Sequence, residues 1–320
     1  MRAVVDQAAG SGCPILVLRP TGWTDYELLD SGEGAKLERF GPFVLERPEQ
    51  QAIWRRSLPA EAWARADALF GRAEGGGEPH WIARREMPPR WQMRYGDLTF
   101  WAELTPFRHT GVFPEQAANW VWIRRLIEGA GRPVRVLDLF GYTGLASLAA
   151  AAAGASVTYV DASRPSIGWA RENQAASGLQ DRPIRWFLDD VLKFVRREIR
   201  RGMRYDGVIM DPPVFGRGPK GEIWRFYSSF PPLLEACRGV LSPDPLFVLA
   251  NAYAIEPSSL MLRNVLHDAM APYGDRYGGS VEAGELVLAQ RTPAPDGSER
   301  LLSTGIFGRW CSKGTGGNRG

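Results

Sequence analysis

Between residues 134 and 161 the hydrophobic pattern changes period twice. Val134, Val136, Leu137 and Leu139 form a short apolar run with β-branched members, followed at once by Gly141 and Gly144 and then by an alanine-rich stretch of helical composition. Gly154 offers a stop, and Val157, Thr158, Tyr159 and Val160 make a second apolar strand closed by Asp161. This predicts strand, tight turn, helix, strand, with an acid (Asp138 or Asp161) at each strand end. Downstream the alternation continues: a helix over 163–178, strands over 183–188, 205–210 and 246–250, and a closing hairpin of 280–289 with 301–307 around a loop at 292–299. Strands alternating with helices in this way predict an α/β fold built on a mostly parallel, doubly wound sheet.

The first hundred residues follow a different rhythm. Strands are expected at 15–18, 26–30, 36–39 and 43–45, the middle two joined by the glycine turn Ser31-Gly32-Glu33-Gly34. Residues 50–70 have helical character, with Trp54, Leu58, Trp63, Ala66 and Phe70 apolar, and 73–79 (AEGGGEP) reads as a linker or exposed loop. Leu98, Phe100, Ala102 and Leu104 alternate as a strand should. A smaller strand-rich domain over 1–106, a larger α/β domain over 107–313 and a disordered tail over 314–320 follow.

Composition narrows the class. A chain of 320 residues with 44% hydrophobic and 23% charged residues can bury large cores in one or two domains. The amino terminus carries Asp6 and no long apolar run, unlike a signal peptide, and Cys13 after Ser11 and Gly12 reads as a plain cysteine. The apolar stretch 139–155 holds Tyr142, Thr143 and Ser147 between Asp138 and Asp161, which predicts a buried helix and no membrane span. Cys13, Cys237 and Cys311 are too few and scattered for a disulfide frame or a zinc site, so no metal is expected and the cytoplasm is the default location.

The chemistry of the 134–161 unit is that of a nucleoside pocket. Glycines after the first strand let the backbone approach a ligand, a helix N-terminus presents free N–H groups, and an acid about twenty residues on is placed for ribose hydroxyls. A dinucleotide is one candidate. The complete G-x-G-x-x-G is missing, however, and Asp138 sits where a diphosphate would be repelled. A ligand bearing positive charge, such as the ammonium and sulfonium of S-adenosylmethionine, suits that carboxylate. A fourth strand running into DPPVFGRG (residues 211–218) adds a stiff proline turn at the next strand end.

With DLFGYTG after strand one, Asp161 after strand two and DPPVF after strand four, the chain resembles class I S-adenosylmethionine-dependent methyltransferases. DLFGYTG is similar to the form in bacterial large-subunit rRNA methyltransferases of the cytosine-5 and guanine-7 kind, which carry a T-G-x-F-x-[DE]-Q segment before motif I. Thr110, Gly111, Phe113, Glu115 and Gln116 match that segment, and Pro114 replaces a residue more often apolar there. The resemblance covers about 107–249. It implies a class I methyltransferase fold with a seven-stranded, mostly parallel sheet and one antiparallel strand.

For the cofactor, the resemblance implies contacts from Thr110, Phe113, Gln116, Asp138, Phe140, Gly141, Thr143 and Gly144, with Asp161 and Ala162 at the ribose. Asp190 and Val191 are the preferred adenine contacts, with Asp189 the alternative and a helix cap the plainer role for either acid. Asp211, Pro212, Pro213 and Phe215 are the expected catalytic residues, holding an acceptor in line with the methyl group.

The acceptor is read less directly. Lys and Arg exceed Asp and Glu by six over 116–205, largely through Lys193, Arg196, Arg197, Arg200, Arg201 and Arg204, which share a helix and form either a solvated face or a phosphate contact. Trp81, Arg84, Arg85, Arg90, Trp91, Arg94 and Tyr95 have the composition of a single-stranded nucleic-acid surface, and equally of a small domain with tryptophan core and arginine rim. Lys220, Trp224, Phe226 and Tyr227 either hold a base or cover the core. RNA, an rRNA by resemblance, is the expected partner, with a small molecule or protein the alternative acceptor, or a cofactor-binding RNA module without turnover. A homodimer is compatible with the sequence. Cytosine-5 chemistry needs a nucleophilic cysteine, and neither the proline turn nor the segment after the fifth strand supplies one.

Overall fold

The computed structural model describes residues 14–72, 76–253 and 258–312. The expectations for Cys13, for residues 73–75 of the loop and for the tail lie outside them. Among the described residues no helix is long and apolar enough to cross a membrane.

The chain opens with β1 (Ile15–Leu18), followed by a sheet of β2 (Tyr26–Gly32), β3 (Ala35–Phe40), β4 (Phe43–Pro48), β5 (Ala68–Gly71) and β6 (His80–Ala83), with the short helix α1 (Ala60–Ala64) between β4 and β5. The hairpin β7 (Arg90–Tyr95) and β8 (Leu98–Glu103) stands beside it. The helix expected over 50–70 is mostly absent. The buried Asp30 carboxylate accepts N–H bonds from Ser57 and Leu58 and from the Trp63 indole (2.8–3.2 Å), folding this segment around one acid. Pro59 then starts α1, and β5 pairs with β4 and β6. Long-range partners override a helical composition here.

The rest of the chain is α2 (Ala117–Glu128), β9 (Arg135–Leu139), α3 (Leu145–Ala152), β10 (Ser156–Asp161), α4 (Arg164–Ala176), β11 (Ile184–Leu188), α5 (Val191–Arg200) and β12 (Gly207–Met210). After these come the hairpin β13 (Phe215–Arg217) and β14 (Ile223–Arg225), then α6 (Phe226–Arg238), β15 (Phe247–Ala252), α7 (Ser259–Tyr277), β16 (Ser280–Ala289) and β17 (Leu301–Cys311). The main sheet has the order β1-β16-β17-β15-β12-β9-β10-β11. Strands β9 to β12 and β15 are parallel, and β17 runs antiparallel to both of its neighbours.

The seven expected strands are therefore present, with an eighth. β1, expected in the amino-terminal domain, joins the main sheet by pairing parallel with β16. Gly284 makes room for it, since a Cβ there would lie 1.8 Å from the Leu16 carbonyl oxygen. Helices α5, α6 and α7 cover one face of the sheet through Phe194, Phe230 and Leu266, and α2 and α3 cover the other through Ile123 and Ala150. Strands β2–β8 have a small core of their own around Leu37 and Trp63 and share a larger one with the main sheet's helices. Tyr26, Phe40, Trp91 and Phe100 pack in one cluster with Trp120 of α2 and Leu145 and Leu148 of α3. That shared core places the amino-terminal strands beside the carboxyl ends of β9 and β10, where open α/β sheets hold ligands.

Most of the arginine and tryptophan stretch is core and rim, Arg94 being exposed. Trp91 is buried, Arg84 donates to the Trp63 carbonyl and faces Glu46, and Arg85 and Arg90 pair with Asp67 and Glu172.

Candidate active site

Strand β9 carries a buried acid next to its carboxyl end. Asp138 is 1% exposed and accepts a hydrogen bond from the Ser147 hydroxyl at 2.6 Å. No lysine or arginine pairs with it among the described residues, and burial pushes its pKa up to about 7. The following loop is strained: Phe140 and Tyr142 both take positive φ, 61° and 48°, a conformation costing side-chain-bearing residues on the order of 1–3 kcal/mol each.

Surrounding groups hold that loop in place. The Asp161 carboxylate accepts from the Tyr142 N–H at 2.9 Å and the Ser163 N–H at 2.7 Å, while the Tyr159 hydroxyl donates to the Tyr142 carbonyl at 2.6 Å. Gly141 serves this packing, because a Cβ there would sit 2.1 Å from the Tyr159 ring. Asn173 of α4, fully buried, donates to the Thr143 carbonyl and accepts from the Trp101 N–H of β8, both at 2.9 Å. The Thr143 hydroxyl donates to the Gly111 carbonyl at 2.7 Å, fastening the 110–116 segment to the same loop.

The proline turn closes the opposite side. Asp211 receives the Gln116 amide on Oδ2 at 3.3 Å. Gln116 belongs to a buried triangle with Asn119 and Asn251, joined by amide hydrogen bonds of 3.0–3.2 Å. Burial first, then the charges of Asp138 and Glu115, raise Asp211 to about 7. Glu115 is itself raised, chiefly by burial. The Trp224 indole donates to the Pro213 carbonyl at 2.7 Å and fixes the far end of the turn.

These groups enclose one cleft. An outer cavity of about 490 Å³ is lined by Phe113, Phe140, Asp161, Ala162, Asp190, Val191, Asp211, Pro212 and Pro213 among the expected residues. A narrow inner extension of about 50 Å³ adds Gln116, Asp138, Gly141 and Thr143 and shares Phe113, Phe140 and Asp211. The outer volume is within the range of small-molecule sites.

Four expected residues stand outside the lining. Thr110 is buried behind the loop, and Gly144, at φ 81°, caps α3. Asp189 turns to Arg197, 2.6 Å away, while Asp190 caps α5 by accepting from the Lys193 N–H at 2.9 Å and faces the cavity. Phe215 lies 54% exposed on β13, whose pleat sends Val214 and Gly216 toward the cavity instead. Among the described residues no group of three or more histidine, cysteine or acidic side chains could hold a metal ion.

The sequence reading missed Asn119, Asn251, Tyr253, Arg108 and His109, all of which line the cleft. Asn119 stands one helical turn after Gln116, and Asn251 at a strand end, so both had a positional signal. Arg108 and His109 directly precede the quoted 110–116 segment. Burial, with Arg47, Arg108 and Lys36 nearby, lowers His109 to about 4.

Known proteins resemble this arrangement. The family model described as S-adenosylmethionine-dependent methyltransferase matches residues 26–268. A crystal structure of the SAM-dependent methyltransferase from Agrobacterium tumefaciens is 42% identical, with a TM-score of 0.85 over 94% of this chain and 96% of that one. A putative methyltransferase complexed with SAH is 19% identical with a TM-score of 0.64, covering 91% of this chain and 76% of that one, a likeness of fold. The ribosomal RNA large subunit methyltransferase K/L of Shewanella baltica is 34% identical over 157 residues, 48% of this chain and 21% of that protein. The chain thus spans about a fifth of the length of the curated relatives it matches.

Proposed function

The chain belongs to the S-adenosylmethionine-dependent methyltransferase family, and we propose that it methylates a base of RNA, an rRNA by analogy with the Shewanella baltica relative. The observation that carries the cofactor side is the charge of the cleft. Asp138, Asp161 and Asp211 are all raised by burial and paired with no cation among the described residues. The buried Asn119 Oδ1 is an acceptor without a partner beside them. Arg108 and Arg217 line the outer cavity but pair with none of these acids, and buried acids left without counter-charge suit a cationic ligand.

In this reading Asp138 holds the methionine ammonium of the cofactor, Asp161 the ribose hydroxyls, and Asp190 with the Val191 N–H the adenine. Phe113 and Phe140 exclude water, and the loop bearing Gly141 and Thr143 shapes the wall behind them. Bound S-adenosylmethionine supplies a methyl group on a positively charged sulfur, whose charge disappears on transfer. Asp211, fixed by Gln116 on Oδ2, keeps Oδ1 for the acceptor, and Pro212 and Pro213 stiffen the turn that aims it. A carboxyl near pH 7 is suited to taking the proton that the methylated atom releases.

Cys237 is buried in α6 and its thiol pushed up by burial, and Cys311 lies in β17. Among the described residues no cysteine lines the cleft, which supports direct transfer without a covalent cysteine adduct. An RNA acceptor also implies a cytoplasmic protein, with the strands of the amino-terminal domain on the substrate side. Labelled S-adenosylmethionine incubated with the protein and total RNA tests the reading: the label is expected on filters and lost to ribonuclease. Label that survives ribonuclease, or appears only with small metabolites, overturns the RNA acceptor.

A further inference from the structure

Among the described residues the hairpin after the proline turn pairs with no other strand. β13 and β14 join only each other, with Phe215 opposite Arg225 and Arg217 opposite Ile223. Its inner side is anchored, since the buried Trp224 packs on Phe140 at 4.8 Å between ring centroids and donates to Pro213. Its tip is latched to α5, where Lys193 meets Glu222 at 2.6 Å. That contact, with the Glu222 and Lys220 N–H groups, holds the Glu222 carboxyl down at about 2.

The outer side has the opposite character. Strand alternation puts Phe215, Arg217, Ile223 and Arg225 on the face away from Trp224. Phe215 and Ile223 are more than half exposed, as is Tyr227 where α6 begins. Arg217, Lys220 and Arg225 are exposed and form no ion pair among the described residues, whereas Arg84, Arg85 and Arg90 are spent on acids of their own fold. The hairpin's one acid, Glu222, is turned into Lys193. Apolar rings interleaved with free cations and no exposed carboxylate match a chain of stacked bases and phosphates better than an acceptor protein.

We infer that this face of the hairpin is the surface on which single-stranded RNA lies while its acceptor base occupies the cleft. Phe215 and Tyr227 stack on the flanking bases, and Arg217, Lys220 and Arg225 hold their phosphates. The inference rests on the RNA reading above. Val214 and Gly216 line the outer cavity and Arg217 reaches it from the outer face of the strand, so a base entering it leaves its neighbours over the hairpin.

The test compares the wild type with R217A/K220A/R225A, F215A/Y227A and R196A/R200A, the last removing exposed arginines of the α5 face. Calorimetric titration with S-adenosylmethionine checks folding of each variant. With ribosomal RNA as acceptor, the triple variant is expected to raise KM at least tenfold with kcat within about threefold. It should also flatten the log–log salt dependence of RNA binding by about two. F215A/Y227A should raise KM at least fivefold with the salt slope unchanged, and R196A/R200A should leave KM within twofold. Wild-type methylation of RNA with the hairpin variants unaffected, or with the loss falling on R196A/R200A, overturns the surface and spares the RNA reading. A wild type that binds the cofactor but places no methyl on RNA overturns both.

Discussion

Asp211 and Asp138 stand at the ends of the paired strands β12 and β9, and after burial it is the charge of Asp138 that most raises Asp211. The two acids share a cleft in which no lysine or arginine among the described residues pairs with either. Each therefore holds its proton to about 7 when no cation is bound. The consequences are open to measurement.

Cofactor affinity is expected to rise with pH through about 7, because the ionised Asp138 attracts a cation and the protonated one does not. Binding below that pH should release protons, read as a dependence of the calorimetric heat on buffer ionisation enthalpy. The linked stability runs the other way. Unfolded carboxyls titrate near pH ~4, so between there and about 7 the folded state binds more protons and the ligand-free protein loses stability as pH rises. D138N should flatten both profiles, and profiles unchanged in that variant would remove Asp138 from the account.

The Asp211→Asn variant should keep cofactor affinity within a few-fold and lose at least about 100-fold in kcat, the scale of a positioned acid or base. Gln116→Ala, which frees Asp211 Oδ2, should fall between the two enzymes. Single-turnover methylation with cofactor saturating reads the chemical step, and full activity in D211N would sink the assignment.

Asp189 and Asp190 separate cleanly. Asp190→Ala removes the α5 cap, costing about 1 kcal/mol, and should also weaken cofactor binding. Asp189→Ala removes a partly exposed pair with Arg197, costing less than about 1 kcal/mol, and should leave binding unchanged. Denaturant titration with calorimetry of both variants decides it, and the reverse pattern would assign the adenine contact to Asp189.

Asn173 binds the glycine loop to β8 through two buried hydrogen bonds. Its replacement by alanine leaves the Thr143 carbonyl and the Trp101 N–H without their partner, a loss of roughly 2–5 kcal/mol. The loop it steadies carries two non-glycine residues at positive φ, so affinity for the cofactor should drop with stability. A variant as stable as the wild type would show that the loop holds its strained form unaided.

From 134 onward the sequence alone determined the order of the main-sheet strands, the helices after the first two of them, the acids at the strand ends and the proline turn, but not the hairpin of β13 and β14 or α7. Each is a local pattern: period-2 and period-3.6 burial, glycine and proline punctuation, a polar residue where an apolar run stops. Contacts between distant segments were decided by the tertiary structure. A buried Asp30 collecting three donors turned an expected helix over 50–70 into loop, short helix and strand. Gly284 admitted β1 to the main sheet, and the Gln116, Asn119 and Asn251 triangle assembled from segments up to 135 residues apart. The arginines are the sharpest case, because composition cannot say which are already paired. Those over 84–90 are neutralised by acids of their own fold, while Arg217 and Arg225 of the β13–β14 hairpin have no ion pair among the described residues, since charge pairing depends on where a distant carboxylate lands in space.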